Sequence, residues 1–271
     1  MPELPEVETV VRTLEQQIND CIITEVEVVY SPIIANVSTR EFCERLLGQK
    51  FEKFNRRGKY LIFELTDEVL VCHLRMEGKF YVESTTGIKD KHTHVLLSLS
   101  NGKILMYHDV RKFGRMYLYK RGEDLTVLDS LGLEPWDKEL TVDYLKKKTA
   151  KLKQPLKQVL LDQHIIAGVG NIYANEICFA LKKLPDTDFS KLSNRQLSEL
   201  IEHTKDILAK AIKQGGTTIR SYTSSLGVSG LFQQDLMVHA RENEPCKICG
   251  TKIIKTMLKG RGTYYCPRCQ K

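Results

Sequence analysis

The chain of 271 residues is 42% hydrophobic and 28% charged, a globular composition that excludes a disordered or fibrous chain and is long enough for two domains with an appendage. No apolar run approaches the roughly 18 residues of a membrane span, and the opening MPELPEVETV, acidic and without a base, is unlike a secretory or mitochondrial leader, so a cytoplasmic location is expected. The net charge of +7 lies wholly in the tail from Pro245 to Lys271, where Lys247, Lys252, Lys255, Lys259, Arg261, Arg268 and Lys271 meet no acidic residue; such a tail suits a polyanion, most simply nucleic acid, although a solvated basic end would carry the same charge.

The spacing of Val7, Val10, Val11, Leu14 and Ile18 predicts an amphipathic helix over residues 5–18. Pro2 and Pro5 suit a helix start, where no N–H donor is required, and Glu3 and Glu6 complement its dipole. From about residue 22 to 119 the pattern turns to strands. IITEVEVVY, KYLIFEL, EVLVCHLRM, KFYVE, HVLLSLS and KILMYH are rich in β-branched and aromatic residues, and Ser100-Asn101-Gly102 reads as a hairpin turn. Short strands at this spacing predict a β-sandwich or barrel. LGLEPWDKEL, over 131–140, breaks the pattern and reads as a domain joint. Beyond it the chain reads as helical. One helix runs through Leu156, Val159 and Leu160; a glycine turn, Gly168-Val169-Gly170, follows, with Asn171 expected to cap an apolar helix from Ile172 to Leu184. The capping box Ser193-x-x-Gln196 opens a long helix that Gly215-Gly216 stops. Residues 217–230 are small and polar, a long loop of the kind that carries function.

The eight cysteines fall into two groups. Cys21, Cys43, Cys72 and Cys178 are scattered among apolar neighbours and read as reduced core thiols. Cys246, Cys249, Cys266 and Cys269 form two Cys-x-x-Cys pairs with the spacing of a four-thiolate zinc ribbon; two disulfides would use the same residues. So short a segment cannot bury a core, and one structural Zn2+ would supply its folding energy. Pro2 carries a different chemistry. With Met1 removed, its secondary amine becomes the N-terminus, a nucleophile toward a sugar aldehyde carbon, with Glu3 as acid/base partner; a plain helix opening explains Pro-Glu equally. The helix start at Asn171, together with Lys157, offers donors to a phosphate. Asp109-Val110-Arg111-Lys112-Phe113-Gly114 and Arg57-Gly58-Lys59-Tyr60 interleave base and aromatic, either as hairpin ends with solvated charges or as backbone neutralisers with an aromatic wedge.

These pieces occur together in one family. PELPEVETV at the start, RRGKY at 56–60, DVRKFG at 109–114, LLDQHIIAGVGNIYANE at 160–176, GGTTIRSY at 215–222 and the closing KGRGTYYCPRCQ run in order along the whole chain. The chain closely resembles the bacterial formamidopyrimidine-DNA glycosylases. The resemblance implies an α+β multidomain fold: a leading helix with a β-sandwich (residues 1–130), a linker (131–138), a helix–two-turn–helix domain (139–238) with a lesion-recognition loop at 217–226, and a zinc ribbon (239–271). It implies a bifunctional enzyme of base excision repair that removes oxidised purines, 8-oxoguanine and formamidopyrimidines, from duplex DNA and then cuts the strand by β,δ-elimination. Pro2 would attack C1′, Glu3 would protonate the sugar ring oxygen with Glu6 in support, Lys59 would serve β-elimination and Arg261 δ-elimination. Met76, Arg111 and Phe113 would fill the gap left by the flipped nucleotide. His92, Lys153, Lys157 and Asn171, with Lys59, Arg111 and Arg261, would hold phosphates, and Thr217, Arg220, Tyr222 and Glu77 would face the lesion. Val110 and Lys112 stand where many members carry Pro and Arg, while Arg111 and Phe113 remain. Double-stranded damaged DNA is the expected partner, with no membrane association, and the chain is expected to be a monomer associated with the nucleoid through DNA. Two rival readings are an endonuclease VIII-like glycosylase for oxidised pyrimidines, which shares the Pro-Glu start, and a non-catalytic zinc-ribbon binder of nucleic acid.

Overall fold

The computed structural model describes residues 1–84, 89–217 and 230–271. The chain divides into two compact units, Met1–Asp129 with Gly215–Gly230, and Ser130–Gln214 with Leu231–Lys271. Among the described residues no helix is long and apolar enough to cross a membrane.

The first unit opens on helix α1 (Leu4–Ile18). Val7, Val10, Val11, Leu14 and Ile18 are all buried along one face, Pro5 sits in the first turn, and Glu3 is the N-cap in extended conformation. Among the described residues eight strands follow: β1 (Ile23–Val28), β2 (Phe51–Arg57), β3 (Tyr60–Leu65), β4 (Glu68–His73), β5 (Lys79–Glu83), β6 (Thr93–Leu99), β7 (Ile104–His108) and β8 (Arg115–Lys120). They form two four-stranded antiparallel sheets, ordered β1-β6-β7-β5 and β2-β3-β4-β8. Alternation decides which side chains enter the space between them. In β3, Leu61, Phe63 and Leu65 are buried, and Phe63 meets Phe80 of the other sheet edge-on at 6.0 Å. Strand β4 is buried on both faces, which explains its unbroken apolar run; Val69 and Val71 on the outer side are covered by Tyr119, Leu125, Val127 and Leu128. The α1 face joins the same apolar cluster as the inner faces of both sheets. The expected hairpin turn at Ser100–Gly102 forms, with Leu99 N–H donating to Lys103 O (2.9 Å) and Gly102 at φ +78.

The short helix α2 (Thr39–Leu46) is absent from the sequence reading. It buries only Phe42 and Leu46, and its one start signal is Ser38, whose Oγ accepts from Glu41 N–H at 3.1 Å.

In the second unit the helices are α3 (Val142–Thr149), α4 (Leu156–Leu161), α5 (Asn171–Ala180) and α6 (Asn194–Lys213). The Gln163 side chain shapes the connection between α4 and α5. Its amide donates to Leu161 O (3.0 Å) and Val169 O (2.7 Å) and accepts from Gly168 N–H (2.9 Å), while Gly168 takes φ +101. Gly170 is the N-cap of α5 and Asn171 its first helical residue, so Asn171 does not cap the helix; its amide is engaged elsewhere, as described below. Helix α5 is buried all round from Ile172 to Phe179. Its Glu176 carboxylate accepts the backbone N–H groups of Met237 (2.8 Å), Val238 (3.0 Å) and His239 (2.8 Å), which ties the chain entering the ribbon to the helix. The unit ends in the hairpin of β9 (Ile254–Leu258) and β10 (Arg261–Tyr265), turned by Lys259 (φ +48) and Gly260 (φ +75).

Candidate active site, nucleic-acid interface and zinc centre

The sequence places Pro2, Glu3 and Glu6 at one helix start; the fold buries all three, with Glu3 2% and Glu6 4% exposed. Uncompensated carboxylates do not stay in such a position. Glu6 is held from both ends: its Oε2 accepts Glu3 N–H (2.9 Å), and its Oε1 accepts the N–H (2.8 Å) and the hydroxyl (3.1 Å) of Thr217. Gly216 allows this approach, since a Cβ there would lie 2.7 Å from Glu6 Oε1. Thr217 is thereby buried and committed to Glu6 at the root of its loop. Arg220, Tyr222 and the rest of the expected lesion-recognition loop beyond Thr217 lie outside the described residues.

Lys59 is 6% exposed and sits in the two-residue turn between β2 and β3, where Gly58 takes φ +58. Arg56, whose role the sequence did not disclose, anchors that turn. It donates to Glu8 of α1 (2.9 Å) and to Gly58 O (3.0 Å). Helix start and hairpin turn therefore converge on the N-terminal amine. Burial lowers the pKa of the Met1 amine; Glu3, Glu6 and Glu77 act against this, and Lys59 adds to it. An amine at this position has buried carboxylates beside it that can take or give a proton.

Met76 and Glu77 are half-buried in the turn between β4 and β5. Arg111 and Phe113 are exposed after β7, with the guanidinium 4.8 Å from the ring centroid. His92 is half-buried before β6, its ring 5.5 Å from that of His108.

In the second unit, Lys153 is exposed and Lys157 is buried. Lys157 is 0% exposed, and its ammonium donates to Gly262 O (2.9 Å) and Thr263 Oγ1 (2.8 Å) of the ribbon hairpin. A cation so buried needs such partners, and these are protein atoms. Asn171 Nδ2 donates to the same Gly262 O at 3.1 Å. The two side chains grip the hairpin one residue beyond Arg261, which is exposed at the start of β10.

The four ribbon sulfurs all lie within 4.8 Å of one another, with Cys246–Cys269 at 3.9 Å and Cys249–Cys266 at 3.5 Å. Zinc–thiolate bonds of about 2.3 Å in a tetrahedron require sulfur separations of roughly 3.8 Å, so the donor set fits Zn2+. Backbone N–H groups of Ile248 and Cys269 point at Cys246 and Cys266 sulfur (3.5 Å each), as thiolate ligands need, and Gly250 takes φ +74 after the first knuckle. These four residues hold one structural zinc, whose chemistry is to fix the two knuckles.

Comparison with known proteins gives three family matches: the formamidopyrimidine-DNA glycosylase N-terminal domain over residues 1–116, the helix–two-turn–helix domain of the same enzymes over 131–223, and the zinc finger found in these enzymes and in isoleucyl-tRNA synthetase over 243–271. The formamidopyrimidine-DNA glycosylase of Bacillus cereus is 45% identical over 273 residues, covering 100% of this chain and 99% of that protein. The Lactococcus lactis enzyme in complex with abasic-site DNA matches with a TM-score of 0.92 at 36% identity, covering 99% of each chain. A mutant of that enzyme bound to DNA containing Fapy-dG matches at 0.93 and 36%, covering 100% of each chain. The chain belongs to the formamidopyrimidine-DNA glycosylase family.

Proposed function

We propose that this chain is a DNA glycosylase of base excision repair that removes oxidised purines from duplex DNA and then cleaves the strand as an AP lyase. The observation that carries this reading is the convergence of buried Glu3, Glu6 and Lys59 on the N-terminal amine. Abasic-site and Fapy-dG DNA in the complexes of the Lactococcus enzyme support the substrate class. The enzyme works as a monomer in the cytoplasm, on the nucleoid.

After Met1 is removed, the neutral Pro2 amine forms a bond to C1′ while the glycosidic bond breaks; the electron pair leaves with the base, which takes up the proton that the nitrogen gives up. Glu3 delivers a proton to the sugar ring oxygen, so that the ring opens to an iminium. Glu6 fixes Glu3 through its N–H and holds the loop root at Thr217. The iminium is an electron sink: it acidifies the C2′ proton, and loss of that proton expels the 3′ phosphate. Lys59 stands beside the amine to assist this step, and loss of the second phosphate is assigned to Arg261. No redox cofactor enters these steps. Met76, Arg111 and Phe113 occupy the gap in the stack. His92, Lys153, Arg111 and Arg261 meet phosphates, and Lys157 and Asn171 set the hairpin that carries Arg261.

Borohydride trapping tests the reading. Protein with Met1 removed and zinc bound is mixed with an 8-oxoguanine duplex opposite cytosine, beside an oxidised-pyrimidine duplex and undamaged DNA. A lesion-dependent adduct mapped to Pro2, strongest with 8-oxoguanine, is the expected result. A stronger adduct with the pyrimidine lesion would move the assignment to an endonuclease VIII-like enzyme. No adduct with any lesion would leave a DNA-binding protein without this chemistry.

A further inference from the structure

The wedge residues of the first unit come from two separate turns. Met76 lies in the turn that ends at Gly78, and Arg111 and Phe113 lie in the turn that ends at Gly114. One buried side chain lies against both ends. Tyr107, near the end of β7, is 1% exposed and packs edge-on against Phe80 at 5.1 Å. Its hydroxyl fills the space beside both glycines. A Cβ on either Gly78 or Gly114 would collide with that hydroxyl and would stand 3.0 Å or 2.8 Å from the ring carbon bearing it. The glycines are thus required by the tyrosine's position.

Asp109 organises the second turn. Its side chain is part of a residue 0% exposed, and each oxygen has its own backbone donor: Arg111 N–H to Oδ1 (3.0 Å) and Gly114 N–H to Oδ2 (2.8 Å). Its carbonyl accepts Lys112 N–H (3.2 Å) and lies 2.8 Å from His94 Nε2, and its own N–H donates to His92 O (2.9 Å). Five contacts therefore fix one residue at the base of the turn, and the Tyr107 hydroxyl lies 3.5 Å from Asp109 Oδ2. Only a carboxylate satisfies both backbone donors of the turn; an asparagine would aim its NH2 at one of them.

We propose that Tyr107 and Asp109 are positioning residues of the wedge. Asp109 shapes the turn that presents Arg111 and Phe113, and the Tyr107 hydroxyl, seated between Gly78 and Gly114, holds that turn at a fixed separation from the turn that presents Met76. The three side chains then enter the duplex as one unit. Neither residue touches DNA; each acts through the residues it aims. This rests on the reading of Met76, Arg111 and Phe113 as the wedge.

The experiment uses the full-length, zinc-loaded, processed protein and a lesion duplex with 2-aminopurine beside the lesion, whose fluorescence rises when the stack opens. Tyr107→Phe keeps the ring and removes the hydroxyl; Asp109→Asn keeps the size and removes one acceptor. Both are measured in single turnover at saturating enzyme, well below their unfolding temperatures. There a purely structural role would leave the stack-opening signal and its rate unchanged. A misplacement of about 1 Å in a reacting assembly costs on the order of 100-fold. The expected losses in stack-opening and base-release rates are about tenfold to 100-fold for Asp109→Asn and roughly threefold to tenfold for Tyr107→Phe. A wild-type signal and rate in both variants overturns the proposal. The Arg111→Ala/Phe113→Ala double variant separates the two levels. If it too keeps the wild-type signal, the wedge reading fails; if it loses the signal while Tyr107→Phe and Asp109→Asn keep it, the positioning role alone fails.

Discussion

The β-sandwich and the ribbon both carry exposed basic side chains, and they are held together by opposite means. The sandwich has a large apolar cluster running through α1, α2 and both sheets, and a smaller one outside β4. At about 1.5–3 kcal/mol for each fully buried aliphatic or aromatic side chain, its stability is spread over many small terms. The ribbon has almost nothing of the kind. Apart from its own cysteines, its buried cluster consists of Ile253 together with Val238 and Phe179 from outside the knuckles. Binding of zinc by four thiolates supplies roughly 10–16 kcal/mol in small domains, far more than that burial. One region is thus stabilised by many small terms and the other by one large term, and single changes should act on them very differently.

The largest expected effect follows directly. Stripping zinc with a chelator, or replacing Cys249 with Ser, should unfold residues 243–271 and leave the sandwich folded. Affinity for duplex DNA should fall at least about tenfold, because the basic charges of the tail lose their fixed arrangement. Limited proteolysis checks this: cleavage confined to the ribbon is expected. Full protection of that segment in the zinc-free protein would erase the contrast between the regions.

Next in size is the attachment of the ribbon. Glu176→Ala would leave the N–H groups of Met237, Val238 and His239 without their buried acceptor. At about 1–3 kcal/mol for each orphaned group, a loss of roughly 3 kcal/mol or more is expected. Burial raises the Glu176 pKa while the three N–H groups lower it, so Glu176→Gln should recover part of the loss. Denaturant unfolding followed in the helical unit is the measurement. A change below 1 kcal/mol, by the same scale, would mean that the zinc alone holds the ribbon in place.

The sandwich has its own sensitive point, which appears only in acid. His73 is 8% exposed, and burial, with Arg75 and Lys59 nearby, depresses its pKa to about 3. Its Nδ1 accepts Arg75 N–H at 2.9 Å, so the neutral ring is the one the fold uses. A folded-state pKa below the unfolded value near 6.5 means the unfolded chain takes the proton first. Stability on this account is complete above pH 6.5 and falls as the pH drops toward 3. By pH 4 the loss from this group reaches up to about 3 kcal/mol. His73→Gln should flatten that part of the stability profile. His239, depressed to about 4 by burial and Lys157, should leave a residual slope of the same sign in the other unit. An unchanged acid profile in His73→Gln would remove the sandwich from the account of acid lability.

How much of this was legible in the sequence depends on the range of the interaction. The α1 face, the alternation of Leu61, Phe63 and Leu65, the capping box at Ser193 and the cysteine spacing are local patterns, and each reads directly. Helix α2 is charged and eight residues long, so only its cap announces it. Strand β2 loses its alternation to a register shift between Phe51 and Lys53. The contacts that define the site are long-range. Glu6 meets Thr217 across 211 positions, and Lys157 meets Gly262 across 105. Nothing local distinguishes a buried lysine at a helix start from an exposed one, so the contact of the Lys157 ammonium with the ribbon backbone could not be read from the sequence. Residue types at the N-terminus were legible as chemistry; the burial that turns them into a site was not.

The smallest expected effect asks whether the ribbon and the helices of the second unit unfold as one. Ser193 and Gln196 close the start of α6 reciprocally, with Gln196 N–H on Ser193 Oγ at 3.3 Å and Ser193 N–H on Gln196 Oε1 at 2.9 Å. Removing such a cap costs about 1 kcal/mol. Helix α6 buries Leu197, Leu200, Ile201 and Leu208 in the helical core and touches none of the cysteines' own cluster. Ser193→Ala should therefore lower the midpoint of helical unfolding by about 2–4 °C and leave zinc affinity unchanged, as read by competition with a chelator. Should zinc affinity fall in step with helical stability, the ribbon and the helices share one cooperative transition. The large zinc term would then stabilise the whole second unit, and the contrast would lie between the two units rather than between the sandwich and the ribbon.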